Sequence, residues 1–227
     1  LEGFHAVKHA LRFDATMKAL VGTNRAELTD LAAVLAPDLQ DRLAAELETV
    51  SPEVFAALAP QAPSTEVIGI AQRPKVDVAE MLLDSSPRPV VMLENPRNLQ
   101  NVGACIRVAA AGDAAGVLTT GTHDPWHPDA LRGGAGLQFA LPVSRIDPIR
   151  FGDRPLVAVD PQGEPFDPRR MPPRALLAFG AERYGISESL LAQAHDRIAI
   201  PMRPGVSSLN LATSVAAILF GWRLNSA

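Results

Sequence analysis

Apolar side chains recur at near-helical intervals along residues 3–20, at Phe4, Val7, Leu11, Met17 and Leu20, with Lys8, His9 and Arg12 among them. That spacing predicts one helix. A second is expected from Leu28 to Leu35, with Thr29 and Asp30 as candidate caps. A third is expected from Pro37 to Val50, where Leu39, Leu43 and Leu47 fall four apart. Ser51-Pro52-Glu53 reads as a cap with proline at the first helical position, opening a short helix through Leu58. Glu66-Val67-Ile68-Gly69-Ile70-Ala71 reads as a strand. Beyond it, Pro74, Pro87 and Pro89 bracket a short apolar piece, so we expect a domain over residues 1–76, a linker over 77–88 and a second domain over 89–227.

From Pro89 the pattern changes. Val90-Val91-Met92-Leu93 is a continuous apolar run, followed by a loop, a helical stretch from Val102 to Ala111 and a strand at Gly116-Val117-Leu118-Thr119. Such alternation predicts an α/β fold with a parallel sheet covered by helices. Further strands are expected at Pro155–Val159, Ala175–Phe179 and Arg197–Ile200, and helices around Ser187–Ala194 and Leu211–Arg223. No internal repeat or low-complexity segment interrupts the pattern.

Composition narrows the classes. With 227 residues, 47% hydrophobic and 20% charged, the chain reads as soluble, and no apolar run approaches a membrane span. The opening Leu1-Glu2-Gly3-Phe4-His5 lacks the basic-then-apolar order of a secretory signal. The single cysteine, Cys105, excludes an internal disulfide and favours a cytoplasmic setting. A formal net charge of −4 argues against non-specific coating of nucleic acid, but a local basic patch would still suffice to hold RNA. The acidic excess sits in the first third of the chain.

Ligands of open α/β sheets collect at the carboxyl ends of the strands, which directs attention to three loops. The first, Glu94 to Arg107, places Asn101 near a helix start and Arg107 six residues on. Read alone, they are an N-cap and a solvated helix charge, and spacing favours that plainer reading. The second, Gly180-Ala181-Glu182-Arg183-Tyr184-Gly185-Ile186, sets a carboxylate between two glycines, as a plain strand-to-helix turn would also do. The third, Ile200-Pro201-Met202 through Ser207-Ser208-Leu209-Asn210, feeds the last helix, where Ser208 and Asn210 would serve as caps.

Together the three loops resemble the three motifs of the SpoU/TrmH family, within the SPOUT class of methyltransferases. Asn101 and Arg107 stand six apart as in its first motif. Gly180-Ala181-Glu182 through Gly185-Ile186 is similar to its second, and Ile200-Pro201-Met202 with Ser208-Leu209-Asn210 to its third. Residues 127–143 resemble the linking segment, although Gly134 stands where the family has Ser. The resemblance spans about residues 89–225 and implies a parallel sheet with a deep C-terminal trefoil knot, which neither composition nor periodicity would suggest. It implies S-adenosylmethionine as cofactor, contacted by Gly180, Ile200 and Leu209 with Met202 close by. It implies ribose 2′-O-methylation of RNA by a homodimer, ribosomal RNA being favoured over transfer RNA. Arg107 would remove or acidify the hydroxyl proton across the subunit contact, and Asn101, Glu182, Ser208 and Asn210 would orient the groups. Residues 3–76 more distantly resemble the family's small α+β, ribosomal-protein-like recognition domain. Lys8, His9, Arg12 and Lys18 would then face RNA, although solvated helix charges explain them equally well.

Two rivals remain at this stage. A nucleotide-dependent oxidoreductase would share the sheet, but the Gly-x-Gly-x-x-Gly turn is absent after Leu93. A knotted RNA-binding protein without catalysis would not require Asn101, Arg107, Glu182, Ser208 and Asn210 together. The five histidines form no ligand grouping with Cys105, so no metal is expected. Trp126 is expected in a surface loop, where it could stack on a base.

Overall fold

A computed structural model describes residues 1–59, 61–147 and 151–226. They form two compact units, Leu1–Lys75 with Ala135–Ala140, and Val76–Gly134 with Leu141–Ala227.

In the first unit, α1 (Phe4–Arg12) starts where the Thr65 hydroxyl accepts the Phe4 N–H at 2.9 Å, and it buries Phe4, Val7 and Leu11. The helix expected to reach residue 20 stops eight residues earlier. Asp14 adopts φ 56, outside the right-handed helix, and Met17 and Leu20 belong to β1 (Met17–Gly22). Arg42 secures that stop by donating to the carbonyls of Leu11 at 2.5 Å and Ala15 at 3.2 Å. α2 spans Arg25–Leu35 and is capped by Asn24, whose side chain accepts the Glu27 N–H, so Thr29 and Asp30 lie inside it. The third helix divides into a 3₁₀ turn at Pro37–Leu39, α3 (Gln40–Glu46) and β2 (Glu48–Thr49). α4 (Pro52–Leu58) opens on Ser51 as expected, and β3 (Val67–Ala71) follows. The sheet order is β2-β1-β3, with β1 parallel to β2 and antiparallel to β3.

The second unit takes in the whole segment read as a linker. α5 (Val78–Leu83) is capped by Asp77 and buries Met81 and Leu82 in the core. β4 (Val90–Leu93), α6 (Leu99–Ala111) and β5 (Gly116–Thr119) follow. α7 (Pro128–Gly133) and β6 (Val143–Arg145) are too short to have shown a period in the sequence. β7 (Leu156–Pro165), β8 (Leu176–Phe179), α8 (Glu188–Leu191), β9 (Asp196–Ala199) and α9 (Leu211–Ser226) complete it. The six strands lie in the order β6-β5-β4-β8-β7-β9, and every pairing is parallel. β4, β5 and β8 are buried at every position, which explains their unbroken apolar runs.

One buried cation organises the amino-terminal edge of this sheet. Arg154, 1% exposed, directs its guanidinium at five backbone carbonyls, those of Met81, Leu82, Asp84, Arg88 and Arg174, at 3.0–3.2 Å. Three of them close the carboxyl end of α5, where the last carbonyls lack helical partners and the helix dipole is negative. Arg174 adds bonds to the carbonyls of Asp84 at 2.8 Å and Leu82 at 2.9 Å while pairing with Asp153 at 2.9 Å. Burial lowers the Arg154 pKa from its usual value. We predict that Arg154→Met leaves several acceptors without donors and destabilises the protein by about 3 kcal/mol or more in urea titration. Arg154→Lys, with three donors in place of five, should recover only part of the loss.

Candidate active site

The three loops singled out in the sequence meet at the carboxyl ends of β4 and β8, which pair in register so that Leu93 faces Phe179. Asn98, not Asn101, caps α6, accepting the N–H groups of Gln100 at 2.9 Å and Asn101 at 3.1 Å. That frees the Asn101 side chain. Its amide donates to Glu182 Oε1 at 2.9 Å, and its carbonyl accepts from Asn210 Nδ2 at 3.1 Å. Asn210 in turn accepts the Ala212 N–H at 2.9 Å, so it caps α9 as well.

The order of these bonds follows from Glu182. An ionised carboxylate only accepts, so Asn101 must turn its NH₂ toward it and its oxygen away, and Asn210 must then present NH₂. Polar groups of all three loops thus form one chain with a single direction. Burial raises the Glu182 pKa, but the bond from Asn101, the residue's own backbone and the Arg97 N–H more than offset this, and the net shift is downward. Cys105, one turn along α6 from Asn101, is fully buried, and burial raises its pKa well beyond the physiological range.

Beside this chain lies a cavity of ≈ 240 Å³ whose wall includes Gly180, Glu182, Ile200, Met202, Ser208 and Leu209. All four residues expected at the cofactor are therefore gathered around one space. Gly180 can be no other residue, because a Cβ there would overlap the backbone of Gly185 and Ile186. Reciprocal bonds between Ala181 and Gly185, at 2.9 and 3.1 Å, close this loop on itself. Ser208 lines the cavity but makes no hydrogen bond among the described residues.

Arg107 is not brought to the cavity. It is exposed on α6, roughly 120° around the axis from Asn101, and its side chain makes no hydrogen bond or ion pair among the described residues. One sequence expectation fails. Trp126 is buried, with its indole N–H on the Val143 carbonyl at 3.1 Å, so its ring is not offered to a base. Of the four basic groups placed on an RNA surface, Arg12 pairs with Asp38 and His9 donates to the Ala135 carbonyl at 2.7 Å. Burial and neighbouring cations lower the His9 pKa despite that bond. Sequence reasoning also missed Glu94 and Asp160. Glu94 accepts both the N–H and hydroxyl of Ser187, tying the end of β4 to α8. Asp160 lines the cavity beyond Val159. In both cases the signal was an acid directly after a predicted strand.

Residues 88–220, over half of the chain, match the SpoU rRNA Methylase family. The chain belongs to that family. The SpoU relationship reaches beyond the matched segment. An uncharacterised tRNA/rRNA methyltransferase of Synechocystis is 31% identical over 97% of this chain and 81% of its own length. The 23S rRNA (guanosine(2553)-2′-O)-methyltransferase of Bacillus subtilis is 24% identical over 98% of this chain and 87% of its own. The AdoMet-bound rRNA methyltransferase of Sinorhizobium meliloti superposes with a TM-score of 0.76 at 26% identity, covering 99% of this chain and 86% of that one. Among the described residues no His, Cys, Asp or Glu group is arranged to hold a metal ion, and no helix is long and apolar enough to cross a membrane.

Because its folded pKa is lowered, the Glu182 contact with Asn101 is complete above the ordinary carboxylate pKa and is lost as pH falls through the lower folded value. The Asn101 side-chain amide resonance should therefore stay constant from neutral pH down to the ordinary carboxylate range and move only below it. Movement centred near neutrality would contradict this geometry.

Proposed function

We propose that this SpoU protein transfers a methyl group from S-adenosylmethionine to a ribose 2′-hydroxyl in structured RNA. Ribosomal RNA is favoured over transfer RNA, and the setting is the cytoplasm. The observation that carries the reading is the single cavity bordered by Gly180, Ile200, Met202 and Leu209 beside the Asn101–Glu182–Asn210 chain. Its chemistry suits the cofactor. Ile200, Met202 and Leu209 supply apolar wall, Gly180 leaves room for close backbone approach, and Glu182 gives the acidity a sulfonium favours. The preference for ribosomal RNA rests on the substrate named for the Bacillus relative.

S-adenosylmethionine supplies an electrophilic methyl carbon, so most of the protein's task is alignment of the ribose oxygen. In this reading Glu182 holds Asn101, Asn101 holds Asn210, and Ser208 offers a free hydroxyl to whatever enters the cavity. Arg107 presents an exposed guanidinium, whose planar fork of donors suits it to bind a phosphate and stabilise charge developing on the target hydroxyl. Since Arg107 turns away from its own cavity, the reading includes a homodimer in which each Arg107 serves the partner's site. The exposed apolar side chains Tyr184, Val206, Phe220 and Leu224 of the second unit support an interface. Arg97, Arg183 and Arg203, exposed on the three loops and without side-chain partners among the described residues, support RNA binding at the mouth. The reading further includes threading of the segment that carries Ile200–Asn210 into a trefoil knot, and an RNA-recognition role for residues 1–76.

Calorimetric titration with S-adenosylmethionine should show micromolar-range binding by the wild type and none by Leu209→Arg, which fills the cavity with a cation. Labelled methyl groups should enter ribosomal RNA at ribose positions. A folded dimer that binds no S-adenosylmethionine would leave a non-catalytic RNA-binding protein. Arg107→Ala and Leu209→Arg should each be inactive alone. Mixed and reassembled in equal amounts, they should regain roughly a quarter of wild-type activity, because half of the dimers then hold one complete site. Recovery of nothing would sink the shared site.

A further inference from the structure

β7 and β9 pair through a bulge, with register shifting between Val159 and Glu164, and the bulge begins at Asp160. Gly163 allows it, since a Cβ there would lie 2.6 Å from the backbone of Arg197 and Ile198. The detour turns Asp160 out of the ladder and onto the cavity wall. There the carboxylate is used one-sidedly. Oδ1 accepts from Arg197 Nε at 3.0 Å, from Arg197 Nη2 at 2.5 Å and from the Gln162 N–H at 2.8 Å. Oδ2 takes none of these donors. The side chain is 13% exposed, so the carboxylate is not sealed off.

A carboxylate on a cavity-lining residue whose bidentate potential toward Arg is not used, and whose second oxygen takes none of those donors, is poised for a donor from a ligand. Arg197 already offsets the charge, so a further cation gains little there. Neutral hydroxyls, which bring protons and need acceptors, gain most. We propose that Asp160 Oδ2 accepts a ribose hydroxyl of the adenosyl group, making Asp160 a specificity residue that selects ribose over deoxyribose in the cofactor and its product. Arg197 acts as a positioning residue by fixing Oδ1. The inference rests on the cofactor reading above and adds to it the recognition of the sugar.

The test is a calorimetric comparison of S-adenosylhomocysteine with its 2′-deoxy and 3′-deoxy analogues, on the wild type and on Asp160→Asn. The wild type should bind at least one deoxy analogue about tenfold or more weakly than the parent. In Asp160→Asn that ratio should fall close to one, with an unchanged circular dichroism spectrum. Equal binding of all three compounds by the wild type overturns the proposal even if the variant fails to fold, as does a variant that retains the ratio. Absence of any binding to the wild type would instead remove the cofactor reading itself, and this proposal with it.

Discussion

The geometry of the candidate site depends on the clamp that Arg154 makes at the opposite edge of the sheet. One guanidinium, one residue ahead of the Pro155–Leu156 entry to β7, binds the carbonyls of Arg88 and Arg174 near the starts of β4 and β8. The paired part of each strand is four residues long, with Val90 beside Leu176 beside Leu156 and Leu93 beside Phe179 beside Val159. At about 3.3 Å per residue there is no length over which register could drift. Fixing the starts therefore fixes the ends, and the ends are Glu94, Gly180 and Asp160. A carboxylate-paired cation would have been tied to side-chain rotamers, whereas this one is tied to the main chain.

Much of this was legible beforehand. The strands of the second unit announced themselves because a parallel sheet buried on both faces tolerates only apolar residues, and Val90–Leu93 and Leu176–Phe179 comply. The three loops were legible by resemblance, and their residues Gly180, Glu182, Ile200, Met202, Ser208 and Leu209 do border one cavity. What stayed hidden was mostly set by backbone conformation. The helix expected through residue 20 ends because Asp14 leaves the helical region, a choice apolar spacing does not record. α5 was masked by the prolines around it, and α7 and β6 are shorter than the window a period requires.

Side-chain roles were less legible than positions, because a side chain's partner is chosen by distant chain. Asn101 looked like a cap until Asn98 took that place, and its real partners lie 81 and 109 residues away. Arg12 looked free until Asp38 arrived from the next helix pair. Trp126, beside charged residues in sequence, is turned inward by the Val143 carbonyl. Arg154 could not be found at all, since nothing in a local window distinguishes an arginine that will meet five carbonyls from one that will meet water.

The contact between α6 and α7 has a mechanical meaning. A Cβ on Gly103 would overlap the Ala130 carbonyl, and one on Gly133 would come within 2.6 Å of the Gln100 carbonyl, so the two helices touch main chain to main chain. No layer of side chains lies there to compress or change rotamer. A joint without such padding passes displacement on undiminished, and the residue next to Gln100 is Asn101. A displacement of α7 would therefore meet the main chain of α6 directly, one residue from the hydrogen-bonded chain.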